Sequence, residues 1–163
     1  MPAKPTASPS ASVVREVVCA SPEATQALAA ALARVAQAGD LVALEGELGA
    51  GKTQFAKGFG AGLGVTATIN SPSYVLMAEY EGRLPLFHLD LYRLDDASDA
   101  LSGGLLDERQ AAGLTLVEWA ERLGPALPAD RLDVHFSGSG DEPRTIRLTA
   151  TAPDLARYLA AIP

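Results

Sequence analysis

Apolar positions gather along the chain in short blocks, separated by glycine, proline and small polar residues. Val13 to Val18 is β-branched and apolar, which predicts a first strand. Ser21-Pro22-Glu23 supplies an N-cap, a proline at the first helical position and an acid in the first turn. The Ala/Leu-rich stretch after it predicts a helix reaching Ala38, with Gly39 as its C′ glycine. Leu41 to Glu45 is a short apolar run bounded by turns, the pattern of a buried strand. A glycine-rich loop follows at once, and Lys52 to Gly62 reads as a helix. Ser73 to Tyr80 and Leu84 to Leu91 read as strands around the turn Glu81-Gly82-Arg83. Asp95 to Gly113 is polar and broken by glycine, so short helices and loops are expected. Leu114 to Glu118 is a further buried strand. Arg131 to Ser137 and Thr145 to Thr151 predict a hairpin around Gly138 to Pro143. A closing helix is expected from Asp154 to Ala161, capped by Asp154 or its neighbour.

Strands interleaved with helices give an α/β fold, and the hairpins make its sheet mixed, partly parallel and partly antiparallel, with helices flanking it. No repeat or internal linker divides the 163 residues, which suit one compact domain. Residues 1–12, rich in Pro, Ala and Ser, read as a disordered tail, leaving 13–163 as the domain. The tail lacks the apolar core of a secretory signal, and no stretch approaches the roughly 20 apolar residues that cross a bilayer. A cytoplasmic protein with no membrane partner is therefore expected. Cys19 is the single cysteine, so no intrachain disulfide forms; it reads as a small apolar residue ending a strand. The net charge of −7 argues against direct binding of nucleic acid, which usually needs a basic face. Any RNA is expected to be held by a partner.

The loop Gly46-Glu47-Leu48-Gly49-Ala50-Gly51-Lys52-Thr53 fits the pattern G-x-x-x-x-G-K-T at every fixed position. Glycines let the backbone turn so that successive N–H groups face an anion, and the helix beginning near Lys52 adds the positive end of its dipole. The Lys52 ammonium can reach the β- and γ-phosphates of ATP, and the Thr53 hydroxyl can ligate the Mg²⁺ that bridges them. An apolar strand before the loop and a helical pattern after it supply the context the motif needs.

Such a site also needs an acid near the metal. Leu86 to Asp90 and Leu114 to Glu118 are both apolar strands ending in one acid, whose burial is costly unless a cation pairs it. One acid could hold the metal while the other orients or deprotonates the attacking water; pattern alone leaves open which does which. His88 shares a strand face with Asp90 and reads either as a hydrogen-bonded core histidine or as a neighbour of the nucleotide. Trp119, next to Glu118, either packs the sheet edge or lies at the mouth of the site. Arg93 reads as a partner for a nearby carboxylate.

Together, the loop, Ser71-Pro72-Ser73-Tyr74, His88-Leu89-Asp90-Leu91-Tyr92-Arg93-Leu94 and Val117-Glu118-Trp119 resemble the TsaE (YjeE) family. These are small bacterial P-loop ATPases required for threonylcarbamoyladenosine at position 37 of tRNA. The likeness runs from about Ala24 to Glu121. It implies a single P-loop NTPase-like domain with weak ATPase activity of its own. Its partners would be TsaD and TsaB, which carry out the threonylcarbamoyl transfer; ATP binding or hydrolysis would reset that pair between turnovers. By matching position, Thr53 and Glu118 would hold Mg²⁺, Asp90 would be the water-orienting acid or base alongside Lys52, and Trp119 would lie near the nucleotide. Gly46, Glu47, Gly49, Ala50, Gly51, Lys52, Thr53 and Gln54 would bind it, with Ser21 to Thr25 near the adenine. Ser71 to Tyr74 would form a switch-like loop. The chain departs from the family's habit at Ala29, where glycine is common, and at Asn70, where threonine is usual.

Two other functions fit a P-loop of this size. A small-molecule kinase would need an arginine-rich lid; Arg109 and Arg122 lie in the right half of the chain, but no cluster surrounds them. A non-hydrolysing nucleotide sensor would not need both Asp90 and Glu118.

Overall fold

Among the described residues, the apolar blocks of the sequence resolve into one seven-stranded sheet flanked by helices. The computed structural model describes residues 13–72, 76–94 and 108–163. Its elements are β1 (Val13–Cys19), α1 (Pro22–Ala33), β2 (Leu41–Glu45), α2 (Lys52–Gly62), β3 (Met77–Tyr80), β4 (Leu86–Asp90), β5 (Leu114–Glu118), β6 (Leu132–Ser137), β7 (Arg144–Ala150) and α3 (Ala156–Ala160). The strands lie in the order β1-β7-β6-β2-β5-β4-β3. The central strands β6, β2, β5 and β4 pair in parallel, while β1, β7 and β3 add antiparallel flanks. The expected α/β fold with a mixed sheet is therefore the one observed. The parallel centre is apolar on both faces, as its near-continuous runs require. Val42, Leu44, Phe55, Phe59, Leu116 and Val134 join the larger core. Ala43, Phe87, Leu89, Val117 and Leu123 form a second core on the other face.

Helices α1 and α2 pack closely because α2 presents glycine to its neighbour. A β-carbon at Gly58 would lie 2.2 Å from the Gln26 carbonyl oxygen, and one at Gly62 would lie 2.5 Å from that of Ala30. This contact joins α1 to the helix that follows the glycine loop.

Some boundaries differ from the expectation, each through a contact distant in sequence. Helix α1 stops at Ala33 rather than Ala38. The Arg83 guanidinium, from the β3–β4 turn, donates to the carbonyls of Ala33 at 2.8 Å and Ala36 at 3.1 Å, satisfying groups that more helix would have consumed. Gly39 is consequently not the helix cap. It sits in the turn before β2 with φ +90°, its N–H on the Gly113 carbonyl at 2.8 Å. The closing helix is shorter than expected, α3 being preceded by a 3-10 turn over Pro153–Leu155. No side chain caps either segment; Asp154 instead faces Arg157 at 3.3 Å. Helix α3 is tied down by Asp40, which accepts from the Tyr158 hydroxyl at 2.5 Å and from the Arg157 guanidinium. Strand β3 begins at Met77; residues 73–75 of the longer run expected there lie outside the described residues. So do the tail 1–12 and residues 95–107 of the glycine-broken stretch.

Candidate functional site

Three of the four parallel strands deliver site residues from their carboxyl ends, the edge where open α/β sheets take ligands. Strand β2 runs into the glycine loop, β4 ends at Asp90, and β5 ends at Glu118. Register places Asp90 directly opposite Glu118. Glu118 and Asp90 are 2% and 4% exposed, and Lys52 is 4% exposed. Burial this deep is tolerated only where charges are paired.

Gly51 ends the loop as the N-cap of α2 with φ +110°, a backbone geometry that favours glycine. Gly46 begins it where a β-carbon would lie 3.0 Å from that of Phe136, so the loop folds tightly against β6. Gly49 and Glu47 are exposed on its outer side, and Ala50 is buried, its N–H on the Glu47 carbonyl at 3.0 Å. The Lys52 ammonium donates to the carbonyls of Gly46 and Glu47 and lies 4.0 Å above the Trp119 ring. Burial pushes the Lys52 ammonium below the usual lysine range, against the pull of Glu118, Glu121 and Asp90, which favour its charge. One cavity holds Lys52, Thr53, Ser71, Asp90, Glu118 and Trp119 together, so the residues expected for catalysis and metal converge.

Within it the Thr53 hydroxyl donates to Glu118 Oε1 at 3.0 Å. Asp90 is gripped from two sides: the Ser71 hydroxyl donates to Oδ2 and the Tyr92 N–H to Oδ1 at 3.0 Å. Ser71 thus connects the expected switch segment to an acid, while Ser73 and Tyr74 of that segment lie outside the described residues. Among the described residues, two non-glycine residues have left-handed backbone, Leu76 at φ +66° and Trp119 at φ +58°. Each adjoins an acid: the Leu76 carbonyl accepts from the Asp90 N–H at 3.0 Å, and Trp119 follows Glu118. Such backbone costs about 1–3 kcal/mol and persists where the surroundings enforce it. It swings the Trp119 ring over Lys52 and to 5.0 Å from the Tyr92 ring.

A hydroxyl beside a carboxylate, with a second carboxylate in the same hollow, is a hard-oxygen donor set that suits Mg²⁺. Among the described residues no group of three or more His, Cys, Asp or Glu converges as a metal site. A magnesium ion that keeps waters and shares phosphate oxygens does not need one.

A second cavity, of about 400 Å³, opens on the other flank of the loop. Ser21, Thr25, Gly49, Gly51, Gln54 and Arg144 line it, which brings Ser21 and Thr25, expected near the adenine, together with Gln54, expected to bind the nucleotide. Ser21 caps α1 by accepting from the Ala24 N–H at 3.1 Å. Gln54 accepts from Gln26 at 2.6 Å, linking the two helices. The larger hollow, of about 670 Å³, carries the side chains of Glu45, Glu47 and Glu121 beside His135. Three acids there disfavour phosphate.

Sequence reasoning missed Arg144. Its guanidinium donates to the carbonyls of Ala50 at 3.2 Å and Gly49 at 3.3 Å, and to that of Gly140 at 3.0 Å. It fastens the β6–β7 loop to the glycine loop. No local pattern announces it, because its partners on the glycine loop are backbone carbonyls 94 and 95 residues away. His88 is the hydrogen-bonded core histidine of the two readings: it is fully buried, and Nε2 lies 2.6 Å from Glu118 Oε2. Cys19 is a buried strand end, as expected. Among the described residues no helix is long and apolar enough to cross a membrane.

Residues 19–146 match the family model for threonylcarbamoyl adenosine biosynthesis protein TsaE. The chain is similar to a tRNA threonylcarbamoyladenosine biosynthesis protein TsaE from Bacillus subtilis, 46% identical over 131 residues, covering 80% of this chain and 82% of the relative. A protein of the same name from Nostoc is 37% identical over 139 residues, covering 82% and 85%. Among solved structures, YdiB from Bacillus subtilis superposes with a TM-score of 0.75 at 35% identity, covering 91% of this chain and 93% of that one.

Proposed function

The chain belongs to the TsaE family and is a component of tRNA threonylcarbamoyladenosine biosynthesis, and from that premise we propose that it is the machinery's ATP-hydrolysing member, working through partner proteins. The observation that carries the reading is the meeting of Thr53 with Glu118 at 3.0 Å in a cavity shared with Lys52 and Asp90. ATP is the substrate, its phosphates on Gly46 to Thr53 and its base beside Thr25 and Gln54. Mg²⁺ would be held by Thr53 and Glu118 and would supply positive charge to the phosphates. Lys52 exchanges the carbonyls of Gly46 and Glu47 for phosphate oxygens. Asp90, fixed by Ser71 and Tyr92, orients the attacking water and draws its proton. Trp119 roofs the phosphate side and limits access of bulk water.

The partners are TsaB and TsaD, which perform the transfer; this chain resets them. Its residues 13–163 act as a single ATPase domain in the cytoplasm. The net charge of −7 supports a protein-facing role in which tRNA is touched only through the partners. Phosphate release should be slow for the purified chain and rise strongly with TsaB and TsaD together, an increase lost in Lys52→Ala and Glu118→Ala. Equal release alone and in the mixture would sink the coupling and favour a kinase acting on a small acceptor.

A further inference from the structure

Glu118 Oε1 receives the Thr53 hydroxyl, while Oε2 lies 2.6 Å from His88 Nε2. Both oxygens of a carboxylate 2% exposed are therefore engaged from opposite sides. The imidazole is wholly buried, opposite Leu116 in the β4–β5 register and Ala78 in the β3–β4 register. Among the described residues, its Nδ1 has no hydrogen-bond partner. A core histidine retained only for packing would not be expected to leave a ring nitrogen orphaned, since an unsatisfied buried polar atom costs about 1–3 kcal/mol. A carboxylate oxygen can only accept here, so the contact is one in which His88 Nε2 donates to Glu118 Oε2.

We propose that His88 is a positioning residue for magnesium, holding Glu118 by Oε2 so that Oε1 stays turned toward Thr53. The inference rests on the reading of Thr53 and Glu118 as the Mg²⁺ ligands. His88 touches neither phosphate nor metal; it removes the carboxylate's rotational freedom before the ion arrives. Partners of this kind typically change metal affinity by 10- to 100-fold when lost. They leave metal-free nucleotide binding alone, because that depends on the loop and Lys52.

The test compares His88→Gln with His88→Asn. The glutamine amide reaches the position of Nε2, and the asparagine amide stops one bond short; the two are of similar polarity. Calorimetric titration of a non-hydrolysable ATP analogue over a range of Mg²⁺, and again in chelator, gives the Mg²⁺ concentration at half effect and the metal-free affinity. The asparagine variant is expected to need about 10- to 100-fold more Mg²⁺, with its metal-free affinity unchanged. The glutamine variant is expected to stay near wild type. In a Glu118→Ala background the His88→Asn change should add nothing. Equal Mg²⁺ dependence in wild type and His88→Asn, with both folded by thermal melt, would overturn the positioning role while leaving the Mg-ATP reading intact. Loss of metal-free and metal-dependent binding together would mark a structural role and also overturn it. No Mg²⁺ dependence in the wild type itself would overturn both.

Discussion

The two flanks of the glycine loop are built on different principles. On the flank proposed to take the phosphates, Lys52, Asp90 and Glu118 are buried ionisable groups brought together by three parallel strands. On the flank proposed to take the base, Ser21, Thr25 and Gln54 are neutral, and the wall beyond them is secured by Arg144 gripping backbone carbonyls. The first flank is specified by side-chain chemistry, and the second by how loops are tied down. Substitutions should therefore act on reaction and metal on one side, and on affinity alone on the other.

Asp90→Asn should give the widest separation. Removing the proposed general base is expected to lower partner-stimulated phosphate release about 100- to 10,000-fold, far more than it weakens nucleotide binding. A similar loss in both quantities would break the assignment of Asp90 to the water. Next comes Lys52→Ala. Charge-assisted hydrogen bonds are worth about 1.5–3 kcal/mol, so nucleotide affinity should fall by about tenfold to a hundredfold or slightly more. Calorimetry showing unchanged affinity would place the phosphates elsewhere. Arg144→Ala should be mildest, because what is lost is a donor to neutral backbone carbonyls rather than a ligand contact. An affinity loss of about tenfold or less is expected, and no loss would show that the base-side wall stands without its tie.

Legibility in the sequence follows the same division. The loop, Asp90 and Glu118 were readable because each is an acid or glycine breaking a short apolar run, and β2, α2 and β5 fell on their expected bounds. The end of α1 was not, because Arg83 supplies its terminal hydrogen bonds from fifty residues away. Arg144 was not, because a guanidinium on backbone carbonyls leaves no trace in the identity of its partners. His88 was readable as buried, yet its contact with Glu118 needed the parallel register that aligns β4 with β5.

Trp119 is the chain's single tryptophan, and its ring lies 4.0 Å from the Lys52 ammonium. Indole emission is sensitive to nearby charge. Light absorbed by this chain at wavelengths only tryptophan takes up therefore reports on one place, the end of the glycine loop beside Lys52, and on the lysine proposed to leave the ring when a phosphate binds. The protein carries its own optical probe, needing no label and reading occupancy in real time.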